Sequence, residues 1–315
     1  MKFKKPKFWD LNKPNLISFF LLPFTIPIII NNILLNIKSK KIHEKIKTIC
    51  VGNIYLGGTG KTTTTIKLYN ILKNLNLNIS TAKKLYKSQL DEKKILETKT
   101  KLITAKTRKK IIDISIENKC ELLIFDDGLQ DKTLKYNLQF VCFDTENFIG
   151  NGLLIPAGPL REKISSLKKY DGVFLKNDLD DNTSNFVELI KRSNPNIKIF
   201  HTFYKINNLS NFDLSKKYLI FSGIGNPDNF RKILLKNKFN IVDEIIYPDH
   251  FSYNKNIIKE IENRAKKNNA KIITTEKDFV KVSNFEHANI NFLEIDLKIK
   301  EESVLFDFIK SKIYE

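Results

Sequence analysis

The stretch LGGTGKTTT, Leu56 to Thr64, has the residue types that hold a polyphosphate. Gly57, Gly58 and Gly60, with Thr59 among them, let backbone N–H groups close around phosphate oxygens. Lys61 can reach the terminal phosphates, Thr62 offers a hydroxyl to magnesium, and Thr63 comes next in the same turn. The pattern departs from GxxxxGK[ST] at Tyr55, which stands where the first glycine belongs, and the shortened GGTGKT form recurs in one branch of phosphate-loop proteins. A chance Gly-rich turn is the alternative, disfavoured by the apolar strand before it and the helical stretch after it. Asp126 and Asp127 close the apolar run LLIF. A carboxylate at a strand's C-terminal edge beside a phosphate loop can hold magnesium directly or through water. Neighbouring side chains leave opposite faces of a strand, so one of the pair is expected at the metal and the other at water, a basic residue or substrate. Phosphoryl transfer to a hydroxyl also gains from a base that accepts the proton. Of the four histidines, His250 has a motif-like setting in YPDHFSY, against the alternative of a surface or capping residue, while His43, His201 and His287 suggest no role. The loop GNGLLIPAGPLRE, Gly150 to Glu162, reads either as plain punctuation or as a stiff clamp in which Arg161 and Glu162 meet a phosphate and a sugar hydroxyl.

These residues need a frame. From Lys47 onward, short apolar runs alternate with helical stretches, the pattern of an α/β protein with a largely parallel sheet. KTICVGN, ELLIFDD, LQFVCFD and DGVFLKN read as strands, with helices over residues 60–75 and 109–118. A second series begins near Ile206: KYLIFSGIGNP, NIVDEIIYP and KIITTEKD as strands, with helices between them. The expected fold is therefore α/β: a P-loop NTPase-like core with a parallel sheet, a second smaller α/β domain and an N-terminal membrane-associated helix. The expected division is residues 1–37, 38–205 and 206–315, the last completing the active-site cleft.

With 315 residues and 42% hydrophobic content, the chain can bury a large core. A formal charge of +19 suits an acidic partner, although the lysines are scattered and genome composition would give the same excess. Nucleic acid is not expected, since no stacking platform or recognition motif accompanies the charge. Cys50, Cys120 and Cys142 lie far apart in apolar runs, as reduced core residues of a cytoplasmic protein do. The N-terminus stands apart. Lys2, Lys4, Lys5 and Lys7 precede Phe8 and Trp9, then LISFFLLPFTIPIII runs from Leu16 to Ile30, with more lysines after Ile37. Pro23, Pro27 and a length below the ~20 residues of a bilayer span argue for an interfacial or partly inserted helix with Trp9 at the boundary. A buried core helix is the alternative.

VGNIYLGGTGKTTTT, DDGLQ, GNGLLIPAGPLRE, FSGIGNPDNF, YPDHFSY and TTEKD stand in the order and approximate spacing of the tetraacyldisaccharide 4'-kinase family, which the chain resembles over nearly its whole length. The resemblance implies transfer of the ATP γ-phosphate, with Mg2+, to the 4'-hydroxyl of a lipid-linked glucosamine disaccharide 1-phosphate, giving lipid IVA. It implies a peripheral or monotopic location at the anionic cytoplasmic face of the bacterial inner membrane. No obligate protein partner is implied. It also implies nucleotide and metal roles for Lys61, Thr62, Asp126 and Asp127, a substrate loop at Arg161 and Glu162, and an Asp–His catalytic dyad. His250 matches its histidine. The aspartate belongs to a GDEP motif in typical members; Leu90-Asp91-Glu92-Lys93 is the match here, so Asp91 is the candidate, without the glycine or proline and after a shortened stretch lacking SRGYG. Asp131 stands where a histidine commonly comes after DDGLQ. The rival reading is a deviant P-loop switch ATPase of the partitioning or membrane-targeting type. Those proteins resemble KGGTGKTT and need the first lysine, where this chain has Leu56.

Overall fold

The computed structural model describes residues 5–37, 43, 45–86, 89–131, 133–177, 182–283, 285 and 290–314. Lys2, Lys4, Lys38, Lys40, Lys41 and His287 of the sequence analysis lie outside the described residues. The chain forms two compact units. The larger comprises Lys5–Leu85, Lys99–Phe203 and Leu297–Glu315; the smaller is built from Tyr86–Thr98 and Tyr204–Asp296.

The chain opens with α1 (Leu16–Leu21), a 3-10 turn over Leu22–Thr25 and α2 (Ile26–Ile37), which join without a break. This run exceeds the 15 or so residues that the apolar block suggested, and by length and composition it suffices to cross a membrane. The prolines do not end it: Pro23 falls in the first positions of the 3-10 turn and Pro27 in the first turn of α2, the positions of a helical segment that tolerate proline best. Its polarity is inverted. Ser18 and Thr25 are buried, whereas Leu16, Phe19, Phe20, Phe24, Ile30 and Leu34 are exposed, Leu16 to 87% and Phe20 to 77%. Trp9 corrects an expectation: it is 1% exposed and donates from Nε1 to Pro156 O at 3.0 Å, so it is packed into protein rather than set at a boundary.

In the larger unit come β1 (Lys47–Gly52), α3 (Lys61–Leu72) and β2 (Ile79–Lys84); the chain then passes through α4 (Leu90–Lys99), which up to Thr98 belongs to the smaller unit, and continues in the larger with β3 (Leu102–Ala105), α5 (Arg108–Glu117), β4 (Leu122–Asp126), β5 (Leu138–Asp144), β6 (Gly172–Lys176), α6 (Ser184–Ser193) and β7 (Lys198–Ile206). The smaller unit has β8 (Lys217–Ser222), α7 (Pro227–Lys236), β9 (Asn240–Ile246), α8 (Lys255–Lys267), β10 (Ala270–Thr275), α9 (Glu276–Val282) and β11 (Ile290–Leu293). The chain ends with β12 (Ile295–Ile299) and α10 (Glu302–Tyr314).

The eight-stranded sheet has the order β12-β7-β6-β5-β1-β4-β2-β3, and β1 pairs in parallel with both β4 and β5. Strand alternation sends Cys50 to one core with Ile111, Phe125 and Phe143, and Ile49 and Val51 to another with Leu68, Phe140 and Ile309. Both faces are therefore covered, which is why the central strands read as unbroken apolar runs. The smaller unit has a parallel sheet of order β11-β10-β8-β9.

The division differs from the expected one in two places. Residues 297–315 return to the larger unit because β12 extends its sheet beside β7 and Leu305, Ile309 and Ile313 of α10 fill the core of Ile49 and Phe140. Residues 86–98, expected in the core domain, belong to the smaller unit.

Candidate active site

The phosphate loop leaves β1 and enters α3. Gly60 has φ 79°, the left-handed region that glycine adopts without steric cost, and it caps α3. Asn53, fully buried, donates from Nδ2 to Gly57 O at 3.2 Å and Thr59 Oγ1 at 3.0 Å, which ties the two ends of the turn. Thr63 donates its hydroxyl back to Gly60 O at 2.8 Å, while Gly58 stays exposed. The loop is also zipped to the Gly150–Glu162 segment. Leu56 N donates to Pro159 O at 2.8 Å, and Arg161 N donates to Ile54 O at 2.7 Å. This pairing of two loops distant in sequence delivers Arg161 to the phosphate loop.

Register delivers the acidic pair. β4 lies between β1 and β2, so its C-terminal residue, Asp126, ends beside the phosphate loop. Asp126 accepts from Thr62 Oγ1 at 3.0 Å and from Lys83 Nζ at 2.6 Å, both on Oδ2. Asp127 has left the strand with φ 61°, so a turn, and not strand alternation, separates the two carboxylates. Its Oδ2 lies 3.8 Å from Lys61 Nζ and its Oδ1 lies 3.4 Å from Arg161 Nη1. Burial alone would raise the Asp127 carboxyl; the charges of Lys61, Arg161, Lys83 and Arg108 overcome it and hold the group below the usual carboxylate range. The two carboxylates thus have different neighbours: Asp126 meets the Thr62 hydroxyl and Lys83, and Asp127 meets Lys61 and Arg161.

Arg161 Nη1 also donates to Gln130 Oε1 at 3.2 Å, and Gln130 Nε2 donates to Asn53 O and Glu162 Oε1 at 2.9 and 3.1 Å. Glu162 is 3% exposed and accepts from Tyr170 OH at 3.0 Å, so it turns inward to orient Gln130. The thiol of Cys142, behind α3, is pushed up to about 12 by burial, as befits a reduced core residue.

In the smaller unit, Asp91 and His250 are brought together. Asp91 lies in the first turn of α4 and is 6% exposed. His250 Nδ1 is 3.0 and 3.1 Å from its two carboxylate oxygens. A carboxylate can only accept, so Nδ1 carries the proton and Nε2 is left as the acceptor. His250 sits at φ 56°, uncommon for a non-glycine residue, and is held there by its N–H to Gly223 O at 3.2 Å. Lys277 and Lys281 of α9 approach the same carboxylate, at 3.5 and 3.3 Å. Burial would raise Asp91; the His250 bond and the two lysines drive it well below the ordinary value.

The family described as tetraacyldisaccharide-1-P 4'-kinase matches residues 19–314. A relative named tetraacyldisaccharide 4'-kinase, from Pelagibacter ubique, is 47% identical over 307 residues, covering 97% of this chain and 96% of its own. One of the same name from Rickettsia bellii is 34% identical, with 99% of each chain covered. The chain belongs to the tetraacyldisaccharide-1-P 4'-kinase family. Among solved structures, LpxK from Aquifex aeolicus, in complex with ATP, has the same fold, with a TM-score of 0.68, 21% identity and coverage of 95% of this chain and 100% of the other. Membership in a kinase family sets aside the switch ATPase reading.

Four polar residues of these two clusters in the family member escaped sequence reasoning. Lys83 reaches Asp126 because β2 pairs with β4 with Ala82 opposite Phe125. Arg108, buried at the start of α5, donates to Asp131 and to the carbonyl of Asp127, which fixes the turn that carries the Asp127 carboxylate. Asp131, the residue in place of a histidine, thus acts on an arginine. Lys277 stands inside TTEKD, which marks it without giving it a role, and Lys281 lies one helical turn further on, outside any motif.

Proposed function

We propose that this chain transfers the terminal phosphate of ATP, with Mg2+, to the 4'-hydroxyl of a tetraacylated glucosamine disaccharide 1-phosphate, giving lipid IVA at the cytoplasmic face of the bacterial inner membrane. The reading rests on one observation above others: Lys61, Thr62, Asp126, Asp127 and Arg161 gather at a single phosphate loop in a chain whose relatives are named tetraacyldisaccharide 4'-kinases.

The residues fit magnesium. The Thr62 hydroxyl and the Asp126 carboxylate are hard oxygen donors already 3.0 Å apart, the type of set that holds Mg2+ together with phosphate oxygens and water. Bound there, the ion would neutralise charge on the phosphates. The protein supplies the remaining parts. Backbone amides of Gly57 to Gly60 and the Lys61 ammonium bind and orient the phosphates, and Arg161 adds a forked donor at the loop. Asp91 holds the His250 ring by Nδ1, leaving Nε2 to take the proton of the acceptor hydroxyl. The exposed apolar side of α1 and α2 lies in the membrane surface, where the acyl chains of the substrate remain, and the exposed Lys7 favours anionic headgroups.

The test uses radiolabelled ATP and purified lipid disaccharide acceptor, with phosphate sought on the distal sugar. His250→Ala should lower turnover roughly 10²–10⁴-fold while nucleotide binding persists; equal turnover discards the base assignment. Absence of label on the sugar with the wild-type chain discards the kinase reading itself.

A further inference from the structure

Helix α9, which the TTEKD segment opens, is built to present two ammonium groups. Thr275 caps α9, accepting from Asp278 N at 3.1 Å and donating to Asp278 Oδ2 at 2.8 Å. Asp278 is fully buried and also accepts from Gly223 N at 2.8 Å and Tyr253 OH at 3.1 Å, so the first turn of the helix is fixed to the end of β8, where Gly223 also holds His250 N, and to Tyr253 of the His250 loop. Residues four apart share a helix face, so Lys277 and Lys281 leave α9 together. Lys277 Nζ lies 3.1 Å from Asp249, 3.5 Å from Asp91 and 3.6 Å from Glu92; Lys281 Nζ lies 3.3 Å from Asp91 and 3.0 Å from Asp278. The His250 Nε2 edge in turn faces Asp249 at 3.7 Å and Glu92 at 3.9 Å.

We propose that Lys277, supported by Lys281, is a positioning residue that sets the pH range in which the Asp91–His250 pair can accept a proton. The inference rests on the base role given to His250 above. The charged groups that the geometry places around the ring are Asp91 and Glu92 from α4, Asp249 from its own loop, and Lys277, Asp278 and Lys281 from α9. Four carboxylates thus face two ammonium groups. Burial would favour neutral Lys277, but Glu92, Asp249 and Asp91 outweigh it and hold the ammonium charged far above its ordinary range. Its charge therefore persists wherever the pair works. Removing it leaves a cluster one unit more negative, and the imidazole is the member that can relieve the excess by keeping a proton, at which point Nε2 no longer accepts one.

The experiment compares kcat/KM for the lipid acceptor from about pH 5 to about pH 9 in the wild type, Lys277→Met and Lys277→Arg. Lys277→Met should move the acid limb of the profile upward by about one unit, with activity recovering toward the wild-type value on the alkaline side. Lys277→Arg, which keeps the charge, should retain the wild-type limb. Lys281→Met serves as the second variant should Lys277→Met fail to fold, with a shift in the same direction. An unmoved limb with a uniform loss at every pH overturns the inference and makes Lys277 a packing residue. The underlying reading fails separately, if His250→Ala leaves turnover unchanged.

Discussion

Lys83→Met isolates the electrostatics of the phosphate-loop site. Lys83 and Asp126 form an ion pair at 2.6 Å with side chains 3% and 0% exposed, so neither charge is screened by water. Methionine keeps the length of the stem and removes the ammonium. Breaking one partner of a buried pair costs about 3–5 kcal/mol, chiefly because the remaining charge stays buried without compensation. For a unit of this size each kcal/mol moves Tm by about 2–4 °C, so the nucleotide-free variant should melt roughly 6–20 °C lower than the wild type. The deficit should close on adding magnesium with a non-hydrolysable ATP analogue, because a divalent cation at the Thr62–Asp126 edge supplies the missing charge. In the wild type the same cation must share or displace the lysine. The variant should therefore gain more Tm from magnesium than the wild type does, and fluorescent-nucleotide binding should half-saturate at roughly tenfold lower magnesium, a difference of about 1.4 kcal/mol. Differential scanning fluorimetry and nucleotide fluorescence read both effects. Equal magnesium-dependent gains in the two proteins would refute the view that Lys83 and the metal answer to the same carboxylate.

Asp91 makes an acid-side prediction. Its folded carboxyl is held below the ordinary value, so its ion pairs contribute stability above about pH 4 and lose it as pH falls further; Asp91→Asn should have a lower Tm near neutrality and a shallower decline in Tm below about pH 4. Parallel curves would contradict it. On the surface, Phe20 and Phe24 are 77% and 60% exposed. Burying each in lipid is worth about 1.5–3 kcal/mol, so the double change Phe20→Glu with Phe24→Glu should weaken sedimentation with anionic vesicles by roughly 10²–10⁴-fold. Unchanged binding would remove these helices as the membrane contact.

Elements buried on both faces were legible because their composition leaves no other reading: β1, β4, β5 and β6 are apolar runs ended by Gly, Asp or Asn. β2 was missed for the opposite reason. It reads ISTAKK, yet Ser80, Thr81 and Lys83 are all buried, because the sheet pairs its backbone and Asp126 its lysine. β7 was missed because it crosses the expected boundary, and α10 because a terminal amphipathic helix carries no mark of which unit it will fill. The phosphate loop was legible since its chemistry is local, with glycines, lysine and threonine consecutive. Arg108 lies 19 residues from the Asp127 carbonyl it holds, and nothing in its neighbours RKKII signals that destination.

Tyr55 reads as a defect in the phosphate-loop pattern, and its surroundings give it a use. The ring is 2% exposed and packs with Leu154 and Leu160, with Ile29 of α2 against the same cluster. Its hydroxyl donates to Asp10 and accepts from Lys5, and burial, with the Asp10 bond second, raises the phenol, so it remains a donor. A glycine there would have no side chain to make these contacts. The same N-terminal segment meets the substrate loop at further points, besides the bond of Trp9 to Pro156 O. Asn151 Nδ2 donates to Ser18 Oγ at 3.0 Å, Asn32 Nδ2 donates to Arg161 O at 3.1 Å, and Gly150, at φ 55°, lies so close to Trp9 O that any Cβ would collide with it. Ser18, Thr25 and Asn32 recur every seven residues, a polar stripe that faces protein while the apolar side faces out. That inversion has a simple cause. The loop of residues 150–161 brings backbone and amide groups that need partners, and an all-apolar helix would give them none. Small polar residues on one side of an otherwise lipophilic helix meet that need, and they join the apolar surface, the Arg161 loop and the phosphate loop into one hydrogen-bonded body.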